Sequence, residues 1–134
     1  NGIECMAFGD LFLEDVRKYR ENQLKGTSIE PIFPLWKIPT SELAEQMLSA
    51  GIKAYVSSVD LKRLPSHFAG RKWSRDLLKE FPQDCDPCGE NGEIHIVVVD
   101  GPMFTKSIPI KIGEIVERNG FAYADIIPMN LEDC

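Results

Sequence analysis

The sequence lacks every recognised loop for cradling a nucleotide phosphate. Its 134 residues contain no Gly-x-Gly-x-x-Gly, no Gly-x-x-x-x-Gly-Lys-Ser/Thr and no Gly-x-Ser-x-Gly. A dinucleotide fingerprint, a P-loop and a serine-hydrolase elbow are therefore excluded. Positive charge is also scarce: 15 Lys and Arg stand against 21 Asp and Glu, a net charge of -6. With no local basic patch, binding to nucleic acid is not expected. The longest apolar runs, such as Ile96 to Val99, fall far short of the roughly 18 to 20 residues that span a bilayer, and no signal peptide is recognisable, so no membrane partner is expected. Cysteine is limited to Cys5, Cys85, Cys88 and Cys134, of which only one pair has motif spacing, so a reduced, cytoplasmic protein is the expectation. There are no repeats and no Gly/Ser-rich linker. A 43% hydrophobic chain of this length fits a single domain over residues 1–134. It opens at Asn1 and runs straight into an apolar strand-like stretch, which reads as the later part of a longer polypeptide.

The patterning that is present predicts an α/β (α+β) fold. The first half reads as strand, helix, strand, helix, strand, and the second half as antiparallel β packed with helices. Ile3 to Phe8 is apolar and β-prone. Leu13, Val16, Tyr19 or Arg20, and Leu24 then recur at helical spacing, with Asp10 as the expected N-cap and Gly26 as the stop. Ile29 to Leu35 is a short extended run broken by Pro31 and Pro34, which suits an edge. Thr40 or Ser41 caps a helix over 42–50 that Gly51 closes, and Ile52 to Val59 follows as a strand. That alternation predicts a parallel arrangement in this half. Residues 60–82 read as two short helices around a turn at Phe68 to Arg71. From Glu93 the apolar period becomes two, predicting strands over 93–100, 106–117 and 121–127, the last two joined by an Asn119-Gly120 hairpin turn. That hairpin could pair with a second subunit in a homodimer or pack on the chain's own helices.

The densest cluster of chemistry-bearing residues is Asp84-Cys85-Asp86-Pro87-Cys88-Gly89-Glu90-Asn91-Gly92-Glu93-Ile94-His95. Gly89, Asn91 and Gly92 favour turns that expose backbone amides, while Glu90, Glu93 and His95 add two carboxylates and an imidazole. If Glu93 opens a strand, Glu93 and His95 share one face, a geometry suited to a cation, an ammonium group or proton transfer. The same residues also fit a tight turn with solvated carboxylates. Cys85-x-x-Cys88 has the spacing of a dithiol or half a zinc knuckle. No strand and helix flank it, however, and a zinc site would need two of Cys5, Cys134, His67 and His95 from remote places, so no metal site is expected. Gly9-Asp10 lies where a strand meets a helix, the position at which open α/β sheets gather ligands, though a plain helix cap fits equally. Arg71 offers a guanidinium fork to phosphate or carboxylate, or a surface salt bridge. Trp36 reads as a core or interface anchor, and His67 as a packing or surface residue.

Met6-Ala7-Phe8-Gly9-Asp10-Leu11-Phe12-Leu13-Glu14-Asp15, Phe33-Pro34-Leu35-Trp36, Phe68-Ala69-Gly70-Arg71, Asp86-Pro87-Cys88-Gly89-Glu90-Asn91-Gly92-Glu93 and Asp100-Gly101-Pro102-Met103-Phe104 together resemble the diphthine-ammonia ligase family. Members of this family are also described as N-type ATP pyrophosphatases or adenosine nucleotide alpha-hydrolase-like proteins. The resemblance implies a two-part enzyme: a Rossmann-like ATP-binding domain with a Ser-Gly-Gly-x-Asp-Ser type loop, then a C-terminal part holding the acceptor. ATP with magnesium would activate a small-molecule or protein carboxylate as an acyl-adenylate, releasing pyrophosphate, and ammonia would form the amide. On this resemblance Gly89, Glu90, Asn91, Gly92 and Glu93 take the substrate-site role and Gly9-Asp10 the strand-end position. His95 and Arg71 join them as substrate-binding candidates, and no catalytic residue is assigned. The ATP loop would belong to an N-terminal ATP-binding domain as partner, leaving no cofactor expected for this chain alone. The alternative is a stand-alone, non-catalytic ligand-binding module of the same fold.

Overall fold

A computed structural model describes residues 2–130, which divide into two compact units at Pro39. The first holds strand β1 (Cys5–Ala7), helix α1 (Glu14–Leu24) and strand β2 (Glu30–Ile32), with β1 and β2 parallel in register Cys5↔Glu30 to Ala7↔Ile32. The predicted parallel strand–helix–strand is therefore present, in two short strands.

The helix starts later than its apolar spacing suggests. Leu13, with extended backbone, occupies the N-cap position without a side-chain cap bond, so Asp10 is not the cap. Glu14 and Asp15 fill the first turn, where carboxylates complement the helix dipole. Asp10 instead approaches Arg20 Nε at 3.5 Å. Beyond the strand ends Phe8, Phe33 and Trp36 pack ring to ring at 5.7 and 6.2 Å, with the Arg17 guanidinium 4.4 Å above Phe33. Trp36 is thus an anchor within this unit.

The second unit begins with helix α2 (Thr40–Ser49), ended by Gly51 at φ +90°. Strand β3 (Lys53–Asp60), strand β4 (Lys72–Trp73), helix α3 (Arg75–Lys79) and strands β5 (Ile94–Asp100), β6 (Ile110–Arg118) and β7 (Phe121–Pro128) follow, with a single 3-10 turn at Ser66–Phe68. The five strands form one sheet in the order β4-β3-β7-β6, with β5 also pairing with β3.

Every pairing in this sheet is antiparallel, including those of β3. This corrects the expectation that β3 continues the parallel arrangement. Helix α2 does not return the chain to β1; it delivers β3 to partners that come later in the sequence. The hairpin between β6 and β7 turns at Asn119 and Gly120, both at positive φ (53° and 82°), as a tight Asn-Gly turn requires.

Ala54, Val56, Val59, Trp73, Leu77 and Ala122 are at most 1% exposed and form the middle of the core, to which α2 contributes Ala44. The two-residue β4 was invisible to periodicity because Lys72 and Trp73 are too few to show a period. It exists because Trp73 is wholly buried opposite Ala54.

Candidate functional site

The segment from Asp84 to Glu93 has no regular secondary structure, yet its course is fixed by hydrogen bonds. Asp86 Oδ1 accepts from the Cys88 amide at 2.7 Å, and the Gly89 and Gly92 amides donate to the carbonyls of Asp86 and Gly89, each at 3.0 Å. Trp73, from the core, donates its indole N–H to the Pro87 carbonyl at 3.0 Å. Gly89 lies at φ +70°, and a Cβ there would sit 2.6 Å from the Ile94 carbonyl oxygen, so glycine is required on both counts.

At the centre lies Glu93, fully buried. Its Oε1 accepts from the Asp86 amide at 3.1 Å and from the Asn91 side-chain amide at 3.3 Å, and its Oε2 accepts from the Asn91 backbone amide at 3.1 Å. Arg63 Nη2 stands 3.8 Å away and donates to the Asp84 carbonyl at 2.5 Å. Burial is the largest single influence on the Glu93 carboxyl and pushes it up. The hydrogen bonds, led by that from Asp86, together outweigh burial and hold it below the ordinary carboxylate range. Glu93 is thus an ionised internal post around which the loop is wound.

The two cysteines are packing residues, Cys85 in the core and Cys88 against it. The Cys85 thiol is pushed up by burial, against the pull of Arg63, and Cys88 is pushed up to about 11 by burial and by the carboxylates of Asp86 and Glu90. Both are free thiols, and among the described residues no group of three His, Cys, Asp or Glu is placed to hold a metal ion. A thiol held protonated is a poor nucleophile. Cys134, another residue considered for zinc, lies outside the described residues.

Two cavities adjoin the loop and share Gln83, Cys85 and Pro87 as lining. The larger, about 430 Å³, runs along α2 and α3 with apolar walls from Ala44, Leu78, Phe81 and Pro87. It also carries Glu45 and Arg75, which are paired through Nη2 to Oε1 at 2.6 Å. The smaller, about 220 Å³, is polar and lined by Thr40, Asp84, Asp86 and Asn91 among others. An apolar cleft opening beside convergent polar groups is the usual form of a small-molecule site.

Of the residues singled out from sequence, Gly89, Glu90, Asn91, Gly92 and Glu93 are brought together in this loop. Glu90 is half-buried. His95 does not share a face with Glu93: β5 begins at Ile94, Glu93 turns inward from the loop, and His95 is exposed. Arg71 is away from the loop, clamped bidentately on Glu80 at 2.7 and 2.9 Å and lying over Phe68. Gly9 and Asp10 belong to the first unit. Sequence reading missed Arg63, Trp73 and the Glu45–Arg75 pair, because their partners lie 14 to 30 positions away along the chain.

Comparison with known proteins bears on this loop. The family model described as the diphthamide synthase C-terminal domain matches residues 39–128, which include the whole loop and both cavities. The chain is 28% identical to the diphthine–ammonia ligase of Homo sapiens over 144 residues, covering 98% of this chain and 53% of that protein. For the Bos taurus enzyme of the same name the identity is 26%, with the same coverage. The Schizosaccharomyces pombe enzyme is 27% identical over 87% of this chain and 20% of its own length. The chain thus spans about half the length of the mammalian relatives it matches.

Proposed function

The chain belongs to the diphthamide synthase C-terminal domain family, and on that footing we propose that it is the acceptor-binding part of an ATP-dependent amide ligase. The observation that carries this reading is the loop from Asp84 to Glu93, held rigid around a buried carboxylate at the edge of an apolar cleft. The cleft takes the body of a carboxylate-bearing acceptor. The polar niche at Asp84, Asp86 and Asn91 faces the end where ammonia displaces the activating group, and its carboxylates attract ammonium, orient it by hydrogen bonds and accept the proton it gives up to become the attacking ammonia. Glu93 serves as a positioning residue that fixes Asp86 and Asn91, and the half-buried Glu90 directly precedes Asn91 of that niche.

ATP and magnesium are assigned to an upstream ATP-binding domain, in keeping with relatives about twice as long. The described residues offer no cluster of metal-ligating side chains. This chain's share is to bind the acceptor, exclude water from its apolar stretch and present ammonia.

The test uses the complete protein, with diphthine as probe acceptor and 15N-labelled ammonium as nitrogen source. Asn91→Ala and Glu90→Gln are expected to reduce labelled amide at least about tenfold while ATP affinity stays within about twofold. Loss of ATP binding in either variant overturns the assignment of these residues. Acceptor binding without any amide formation by the unsubstituted protein favours a non-catalytic binding module instead.

A further inference from the structure

A third cavity, of about 440 Å³, lies at the β4 edge of the sheet, sharing only Arg75 and Lys79 with the acceptor cleft. In a chain of net charge -6 its lining is basic: Lys53, Lys72, Arg75 and Lys79 against Asp76 alone. Three of these cations have carboxylate partners, yet each keeps donors in hand. Lys53 Nζ meets Asp100 Oδ2 at 3.3 Å, but Asp100 already accepts from the Ser107 hydroxyl at 2.5 Å and the Gly101 amide at 2.8 Å. Lys79 touches Asp76 at 3.7 Å. An ammonium has three donors, and one carboxylate contact leaves two. Arg75 bonds Glu45 and Ser49 through Nε and Nη2, which leaves Nη1. Lys72 has no carboxylate partner among the described residues. Ser74 Oγ accepts from the Leu77 amide at 3.3 Å, so its hydroxyl proton is available to donate outward.

We infer that this cavity is an anion site, adjoining the acceptor cleft through Arg75 and Lys79, that takes a small phosphate-bearing ligand. Four donor-bearing cations, one of them without a carboxylate partner, converge on a recess floored by Leu48, Ile52 and Trp73, and together they offer an anion several charge-assisted hydrogen bonds at once. The ligand is compact rather than an extended nucleic acid. A polyanion leaving the recess would meet the carboxylates of Glu45, Asp76 and Asp100, which stand around these same cations.

The experiment is calorimetric titration of the 134-residue chain with inorganic phosphate and with pyrophosphate, repeated in high salt, with thermal melting as the folding control. One saturable site per chain is expected, weakened by salt. Lys72→Glu should weaken it by at least about tenfold without lowering Tm, while Lys72→Arg stays within about threefold. Absence of saturable binding up to about 10 mM of either anion overturns the proposal. So does unchanged affinity in Lys72→Glu, or an equal loss in Lys111→Glu on the remote strand β6, which would report the chain's overall charge and not a site.

Discussion

Asp86 and Glu93, seven residues apart, are joined by a 3.1 Å hydrogen bond from the backbone amide of the first to the buried carboxylate of the second. The bond closes the loop upon itself, and the Glu93 carbonyl at the same time accepts from the Asp60 amide at 2.9 Å, tying the closed loop to β3. Loop and sheet are therefore one structural object.

Removing the post should unfold its surroundings. Glu93→Ala takes the acceptor from the Asp86 and Asn91 amides, which face the buried carboxylate, and a donor orphaned away from water costs about 1 to 3 kcal/mol. We expect a loss of about 2 to 4 kcal/mol on the same basis, and a smaller loss for Glu93→Gln, whose carbonyl replaces one of two oxygens. Urea unfolding followed by the fluorescence of Trp73, in a Trp36→Phe background so that only the second unit reports, measures both. A Glu93→Ala variant as stable as its parent would contradict the role given to this carboxylate.

The same carboxylate sets a direction for acid sensitivity. Its pKa in the folded chain is held below the value of about 4.3 it takes when unfolded. The unfolded chain therefore binds the proton first as pH falls. The stability from this group is complete above the unfolded value and drains away as pH drops through the lower folded value. Stability measured from neutral pH down into this acid range should fall more steeply in the parent than in Glu93→Gln, and parallel curves would argue against it.

Two loop glycines make an internal comparison. Both Gly89 and Gly92 lie at positive φ, but a Cβ at Gly89 strikes the Ile94 carbonyl at 2.6 Å whereas one at Gly92 meets nothing within 4 Å. Gly92→Ala should cost about 1 kcal/mol of backbone strain, and Gly89→Ala clearly more, because backbone must move as well. Chemical denaturation of the two variants ranks them; the reverse order would mean that the loop is not wound as described.

Thiol chemistry separates the cysteines. Cys5 is exposed, while Cys85 is buried and Cys88 half-buried, and both of the latter are held protonated. At pH 8, alkylation by iodoacetamide mapped by peptide mass should label Cys5 at least about tenfold faster than Cys85 or Cys88. Rapid labelling of Cys88 would point to a reactive dithiol after all.

Much of this was legible from residue order where the signal is local. Gly51 and Asn119-Gly120 mark their turns through backbone conformations that few other residues adopt, and the apolar period of two located β5, β6 and β7. The loop word from Asp86 to Glu93 located the candidate site. The relations carried by distance were hidden. Glu93 looked like a strand-opening surface carboxylate paired with His95, because alternation is a property of strands and the strand starts one residue later. Asp10 looked like a cap because it precedes an amphipathic run, and the three residues by which the helix starts late leave it facing Arg20 instead. The strand pairing of β3 could not be read at all, since its partners come from three different stretches of chain, and only tertiary packing decides among them.

A loop wound on a buried post has a consequence for recognition. Binding normally loses free energy to the freezing of mobile backbone, and a ligand that must order ten irregular residues spends much of its contact energy on that alone. Here the ordering is already done at folding, by the three donors that Glu93 holds. A ligand bound there would meet carboxylates at fixed separations, so selectivity among ligands of similar size would rest on shape and donor pattern.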